Sequence, residues 1–257
     1  MKKFGLTVVI AFLFAFPALS QNNLDNVHLF QSYFYDAPIA KVGYGQGAIV
    51  YANYDKWNLF SLGVMGGYPI NEKIEVDAQL HYLHSSPDEG DGQSGISDLD
   101  VYGRYNVYKK DNTNISAGGR ITLPIGSEDV GQGNLDFGAF GAIRHLLNSN
   151  MVLVGTLGLI FYEETEETFN FNTFQNEKKT SHDSYINIAG GLIYAVNSQF
   201  NVIGELTIQT KGDYMLLSGA VDYVLGSGRL RGGLGIGLDS GAPDVLLMGG
   251  YAISLSK

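Results

Sequence analysis

Charged residues recur at two-residue spacing along this sequence. Glu75 and Asp77 form one such row, Asp98, Asp100, Tyr102 and Arg104 another, and Arg120, Asp136, Arg144, Glu205, Asp222 and Arg231 fall in comparable positions. Two-residue spacing sets side chains on one face of an extended strand. The chemistry open to such rows is electrostatic. Opposed charges facing a pore orient a solute, as charged rings tune selectivity in channels. The same rows can also pair across neighbouring strands and fill an enclosed interior. Both readings put these residues on an inner wall, and together they are the candidate lumen-lining set.

Other chemistries find little support. The histidines His28, His81, His84, His145 and His182 form no His-Glu-x-x-His or comparable metal spacing. His81 and His84 lie near Ser85 and Ser86, but a barrel-type lipid hydrolase needs serine and histidine in contact and a third group orienting the base. The acids Asp88, Glu89, Asp91, Glu128, Asp129, Glu163, Glu164, Glu166 and Glu167 cluster between segments without the spacing of a calcium loop. Glycine runs at 43–47 and 232–237 lack the strand–turn–helix context of a nucleotide site. There is no cysteine. The expectation is a protein that is not an enzyme and takes no cofactor and no metal. With 16 basic against 26 acidic residues, nucleic acid is not an expected partner.

The elements that carry the charged rows alternate strictly. From Ser97 to Leu147, Leu99, Val101, Tyr105 and Val107 oppose Asp98, Asp100, Tyr102, Arg104, Asn106 and Tyr108. Ile115, Ala117, Ile121 and Leu123 then oppose Asn114, Ser116, Arg120 and Thr122. Finally Leu135, Phe137, Ala139 and Ile143 oppose Asp136 and Arg144. The apolar face carries no charge, and the segments match the roughly 9–11 tilted residues that cross a bilayer. An arginine or lysine facing lipid at the midplane costs roughly 2–4 kcal/mol, whereas one facing a wet lumen costs little. Strands are expected near 39–52, 57–69, 73–84, 97–109, 113–124, 134–146, 151–162, 184–196, 200–210, 213–225, 228–238 and 244–255. The first and the 151–162 strand are apolar or glycine-rich on both faces. Every second connection is short (PINE, KKDN, LNSN, NSQ, GSG), and the long ones, 85–96, 126–133 and 163–183, fall in the other set. Outer-membrane barrels sort their loops this way, with short periplasmic turns.

Residues 1–20 have the physics of a signal peptide: Lys2 and Lys3, an apolar run from Phe4 to Phe16, then Pro17 and small residues at the cleavage site. Residues 21–38 are irregular and aromatic, and read as a periplasmic extension, a lumen plug or part of the first strand. Residues 39–257 read as the barrel. The fold class is therefore all-β, an antiparallel transmembrane barrel of about twelve strands. Tyr44, Tyr51, Trp57, Tyr68, Tyr82, Tyr105, Tyr162, Tyr194 and Tyr223 suit interfacial girdles, while Tyr102 and Tyr108 face the lumen.

Ser97-Asp98-Leu99 opening a strand, a next strand ending Thr122-Leu123-Pro124-Ile125-Gly126, a Gly/Asp-containing loop and Leu135-Asp136-Phe137-Gly138 resemble the MetA-pathway of phenol degradation family. The resemblance is densest over about 95–147. It implies a porin-like outer-membrane transporter that passes small hydrophobic or aromatic compounds. The expected partners are outer-membrane lipid, such a solute, and the barrel assembly machinery. The chain ends Leu255-Ser256-Lys257, where outer-membrane barrels usually carry an assembly-signal aromatic. The alternative is a structural or adhesive barrel acting through its outer loops.

Overall fold

The computed structural model describes residues 24, 27–170, 175–226 and 228–255; the expected leader, 1–20, lies outside them. The strands are β1 (Tyr44–Tyr54), β2 (Trp57–Asn71), β3 (Ile74–Pro87), β4 (Gln93–Ile96), β5 (Leu99–Lys110), β6 (Thr113–Leu123), β7 (Asp136–Asn148), β8 (Met151–Asn170), β9 (Gln175–Ala195), β10 (Phe200–Gln209), β11 (Tyr214–Leu225), β12 (Gly228–Gly237) and β13 (Val245–Ser254). Each pairs antiparallel with its neighbours, and β1 pairs with both β2 and β13, so the sheet closes on itself. The short β4 and the following β5 both lie on β3. They are one spanning strand broken at Ser97-Asp98, which makes a closed barrel of twelve spanning strands.

Alternation explains the two faces. Val64, Val107, Phe137, Leu157, Leu217, Leu234 and Leu247 are exposed on the outside, while Glu75, Asp77, Arg104, Arg144, Glu205, Asp222 and Arg231 are buried within. An exposed apolar surface of this extent is a surface built for lipid. No helix among the described residues is long and apolar enough to cross a membrane.

Three sequence expectations need correction. The stretch 163–183 is not a loop: β8 and β9 stay paired from Tyr162↔Asp183 out to Asn170↔Gln175. Backbone pairing extends this hairpin through a stretch whose sequence carries no regular apolar alternation. Strand β1 begins at Tyr44, not at residue 39. Tyr108 points outward and is 46% exposed. An irregularity between Asn106 and Tyr108 shifts the register by one residue, and a one-residue shift flips the facing.

The connections sort by end. Those after β2, β5, β7, β9 and β11 are short turns, and the barrel's first and last strands begin and finish at that same end. The opposite end carries the β8–β9 hairpin and the longer connections 124–135 and 238–244.

Candidate functional site

The inner wall holds five arginines among the described residues, each facing a carboxylate. Arg104 Nη2 bonds Glu75 and lies 3.7 Å from Asp77. Arg120 donates from Nε and Nη2 to Asp100 Oδ1 at 3.0 and 2.7 Å. Arg229 and Arg231 share Asp222 at 2.6 and 3.2 Å. Arg144 pairs with Asp36, which no strand supplies. Buried charges persist when paired and hydrogen-bonded.

Asp36 belongs to an irregular N-terminal segment that lies inside the barrel. Leu24, Val27 and Leu29 pack on the inward side chains Val152, Val154, Ile193, Ala195, Ile203 and Ala220. A fully buried Leu or Val contributes roughly 1.5–3 kcal/mol. The inner wall is apolar here because this segment covers it, which accounts for the two-faced apolar character of β8. Glu205 Oε2 accepts the amides of Phe30 and Gln31 at 2.7 and 2.8 Å, and Oε1 accepts the Ser32 amide and hydroxyl at 3.0 and 2.6 Å. Asp36 is wholly buried. It meets Arg144 and His28 Nδ1, the latter at 2.9 Å, and its carbonyl accepts from Arg104 Nη1 at 3.0 Å. Arg144 also donates to the Leu24 and Val27 carbonyls, and Arg231 to that of His28. Ser116 donates to the Ala37 carbonyl, and Glu75 accepts the Ala40 amide.

Electrostatics fix the state of this segment. Burial alone would raise the Asp36 carboxyl; Arg144 and His28 overcome it and hold Asp36 well below the usual carboxylate range. Burial lowers the His28 imidazole against the opposing pull of Asp36, so a neutral ring donates Nδ1–H to the carboxylate.

Aromatic packing completes the seat. Phe34 stacks on Tyr102 at 4.9 Å, and Tyr35 meets Tyr102 and Phe140 edge-on at 5.7 and 4.9 Å. The Arg231 guanidinium lies 4.8 Å from the Phe30 ring and 5.0 Å from that of Tyr33. Tyr44, expected in a girdle, instead points inward and donates to Asp77 at 2.7 Å. It shares the face of the buried Gln46, and it crosses Gly67, where a side chain would collide with its ring.

Above the segment, toward the long-loop end, a cavity of about 170 Å³ is lined by Tyr35, Tyr102, Tyr185, Ile160, Asn187 and Tyr214, among others. A second, about 220 Å³, shares Arg120, Ile160, Tyr185 and Gln209 with it and reaches Tyr162, Lys211 and Gly212 at the mouth. Tyr162 is thus a wall residue rather than a girdle residue. A larger cavity, about 950 Å³, is elsewhere, at the short-turn rim beside Pro38–Gly43 and Glu72-Lys73. It holds none of the tyrosine cluster.

The expected lumen residues therefore fall into groups. Glu75, Asp77, Arg104, Arg144, Glu205 and Arg231 gather around the N-terminal segment, with Asp222 behind Arg231. Asp100, Tyr102 and Arg120 line the upper cavity. Asp98 accepts the Gly126 and Gln132 amides and ties down the β6–β7 connection, and Asp136 accepts the Glu163 amide at the mouth. Sequence reasoning passed over Asp36, Tyr35, Tyr185 and Asn187. The last two were within reach, since Tyr185, Asn187 and Ala189 alternate with Ile186 and Ile188.

In fold, the chain is similar to the COG4313 outer membrane channel from Pseudomonas putida F1, with a TM-score of 0.67 and 14% identity over 86% of this chain and 98% of that one. It is also similar to a KdgM porin solved in complex with disordered oligogalacturonate, with a TM-score of 0.55 and 9% identity over 82% and 99% of the two chains. The Ralstonia pickettii toluene transporter TbuX gives a TM-score of 0.51 and 11% identity over 85% and 90%. No curated protein matches in sequence. The family described as "Putative MetA-pathway of phenol degradation" matches residues 83–255, from the end of β3 through the last strand, and the chain belongs to that family.

Proposed function

We propose that this protein is a bacterial outer-membrane channel for passive uptake of small hydrophobic or aromatic compounds. The observation that carries the reading is a cavity with four tyrosines in its wall, inside a barrel whose five inner arginines each face a carboxylate. Such an interior suits a neutral solute better than an ion. The fold shared with a toluene transporter supports the same solute class. Short turns face the periplasm in barrels of this kind and longer connections face outward, which puts the tyrosine cavity on the outer side. In this reading the leader at 1–20 is removed on export, the barrel assembly machinery inserts the chain, and the apolar belt meets outer-membrane lipid.

A second reading rests on the seated N-terminal segment: a barrel that stays shut and acts through its outer connections. Uptake of radiolabelled toluene by two-membrane bacteria producing the chain separates the two. Faster uptake than in cells lacking it supports the channel. Unchanged uptake, with the barrel inserted, supports the structural role.

A further inference from the structure

The upper cavity is not a property of the barrel alone. Its walls come from the strands, with Tyr102 on β5, Ile160 on β8 and Tyr185 on β9, but its floor comes from Gln31, Ser32 and Tyr35 of the N-terminal segment. Tyr35 is held there edge-on to Tyr102 and Phe140. We propose that this cavity is a binding site for one uncharged, single-ring aromatic molecule carrying a hydrogen-bond donor, and that the site exists only while the N-terminal segment is seated. The proposal rests on the channel reading for its solute class and adds size, polarity and coupling.

Size follows from volume. The cavity holds about 170 Å³, and an apolar cavity of about 150 Å³ accepts benzene. One ring fills it. Neutrality follows from the Arg120–Asp100 pair. Asp100 accepts from Arg120, Thr122 and Gln79, so the two charges at the cavity wall already compensate each other. The donor follows from Asn187, which lines the cavity, is 9% exposed, and has an Oδ1 with no hydrogen-bond partner among the described residues. Buried acceptors are costly to leave unpaired, and a hydroxyl on the ring would satisfy this one.

Coupling follows from linkage. A ligand that touches both wall and floor binds the seated state and has no such site in the released one, so it stabilises the seat, and the seat stabilises the ligand by the same factor. The site is thus a waiting position above a closed passage, and onward movement needs the segment to leave.

The test is isothermal titration of p-cresol into the detergent-solubilised full chain, with detergent alone subtracted, alongside 2-naphthol as a two-ring probe. Glu205→Gln loosens the segment without touching the cavity's aromatic walls. Chymotrypsin, which cleaves at Phe30, Tyr33, Phe34 and Tyr35 only when the segment is released, reports seating. The expected results are one p-cresol per chain, no site for 2-naphthol, and affinity lower by about tenfold or more in Tyr185→Ala, in Tyr35→Ala and in Glu205→Gln. Bound p-cresol also slows chymotrypsin cleavage of the unaltered chain. Unchanged p-cresol affinity in a Glu205→Gln chain that chymotrypsin shows to be released overturns the coupling, and equal binding of 2-naphthol overturns the single-ring limit. No p-cresol binding together with intact toluene uptake defeats this inference and leaves the channel standing. Binding without uptake does the reverse.

Discussion

Glu205 and Ser32 are joined by two hydrogen bonds to one carboxylate oxygen: Oε1 accepts the Ser32 amide at 3.0 Å and its hydroxyl at 2.6 Å. With the Phe30 and Gln31 amides on Oε2, one side chain of β10 caps three successive amides of a segment more than 170 residues away in sequence. Hydrogen bonds to a charged group contribute about 1.5–3 kcal/mol. Glu205→Gln keeps the shape and removes the charge. It is expected to weaken seating by about that amount, a roughly 10- to 100-fold rise in released segment. Chymotrypsin cleavage rate measures it, and the barrel itself stays folded by heat-modifiability on gels.

Asp36→Asn is the more severe change. It leaves Arg144 buried without its carboxylate, and breaking a buried pair costs about 3–5 kcal/mol. The N-terminal segment is expected to be released in most molecules. Adding Arg144→Met is expected to restore part of the seat, because the uncompensated charge goes with it. A double-mutant cycle on cleavage rates reads the coupling.

Seating is expected to depend on pH through His28. Its pKa in the seated state lies below the ordinary 6.5, by burial first and with Arg144 and Arg104 adding to the effect against Asp36. The released segment therefore binds a proton below pH 6.5 that the seated segment resists. Seating is complete above that value and weakens as pH falls beneath it. Asp36, held far lower, adds its own loss only in stronger acid. Cleavage rates at pH 7.5, 6.5 and 5.5 should rise in that order, and His28→Gln should flatten the rise.

The lipid-facing surface makes a separate prediction. Val64, in the middle of β2, is 64% exposed on the apolar outside. Val64→Arg is expected to cost about 2–4 kcal/mol of stability in a bilayer. Urea unfolding in liposomes measures it, and loss of well under 1 kcal/mol would place Val64 away from the hydrocarbon.

Most of the wall was legible in the sequence because facing is local. Glu75, Asp77, Arg104 and Arg144 lie inside as two-residue alternation requires, and the loop lengths mark which end is which. Tyr108 escaped because a register irregularity leaves no mark in composition. The β8–β9 hairpin escaped because residues 163–183 carry no regular apolar alternation to mark them as strand. The sequence allowed a plug at 21–38 among other readings, but the contacts that seat it were not legible. Its ties to Glu205 and Arg144 span more than 100 residues, and the segment itself has no period. Its one local trace was the apolar inner face of β8, where Val152 and Val154 share one cluster with Leu24, Val27 and Leu29.

The most direct measurement is single-channel conductance in planar bilayers of the unaltered chain and of a chain carrying Glu205→Gln with Asp36→Asn. The unaltered chain is expected to stay mostly closed, and the doubly altered chain to show discrete open steps that p-cresol does not lengthen or block at the upper site. Equal conductance in both would mean that the N-terminal segment is not the barrier. Stable insertion of both with no conductance in either would contradict the channel itself.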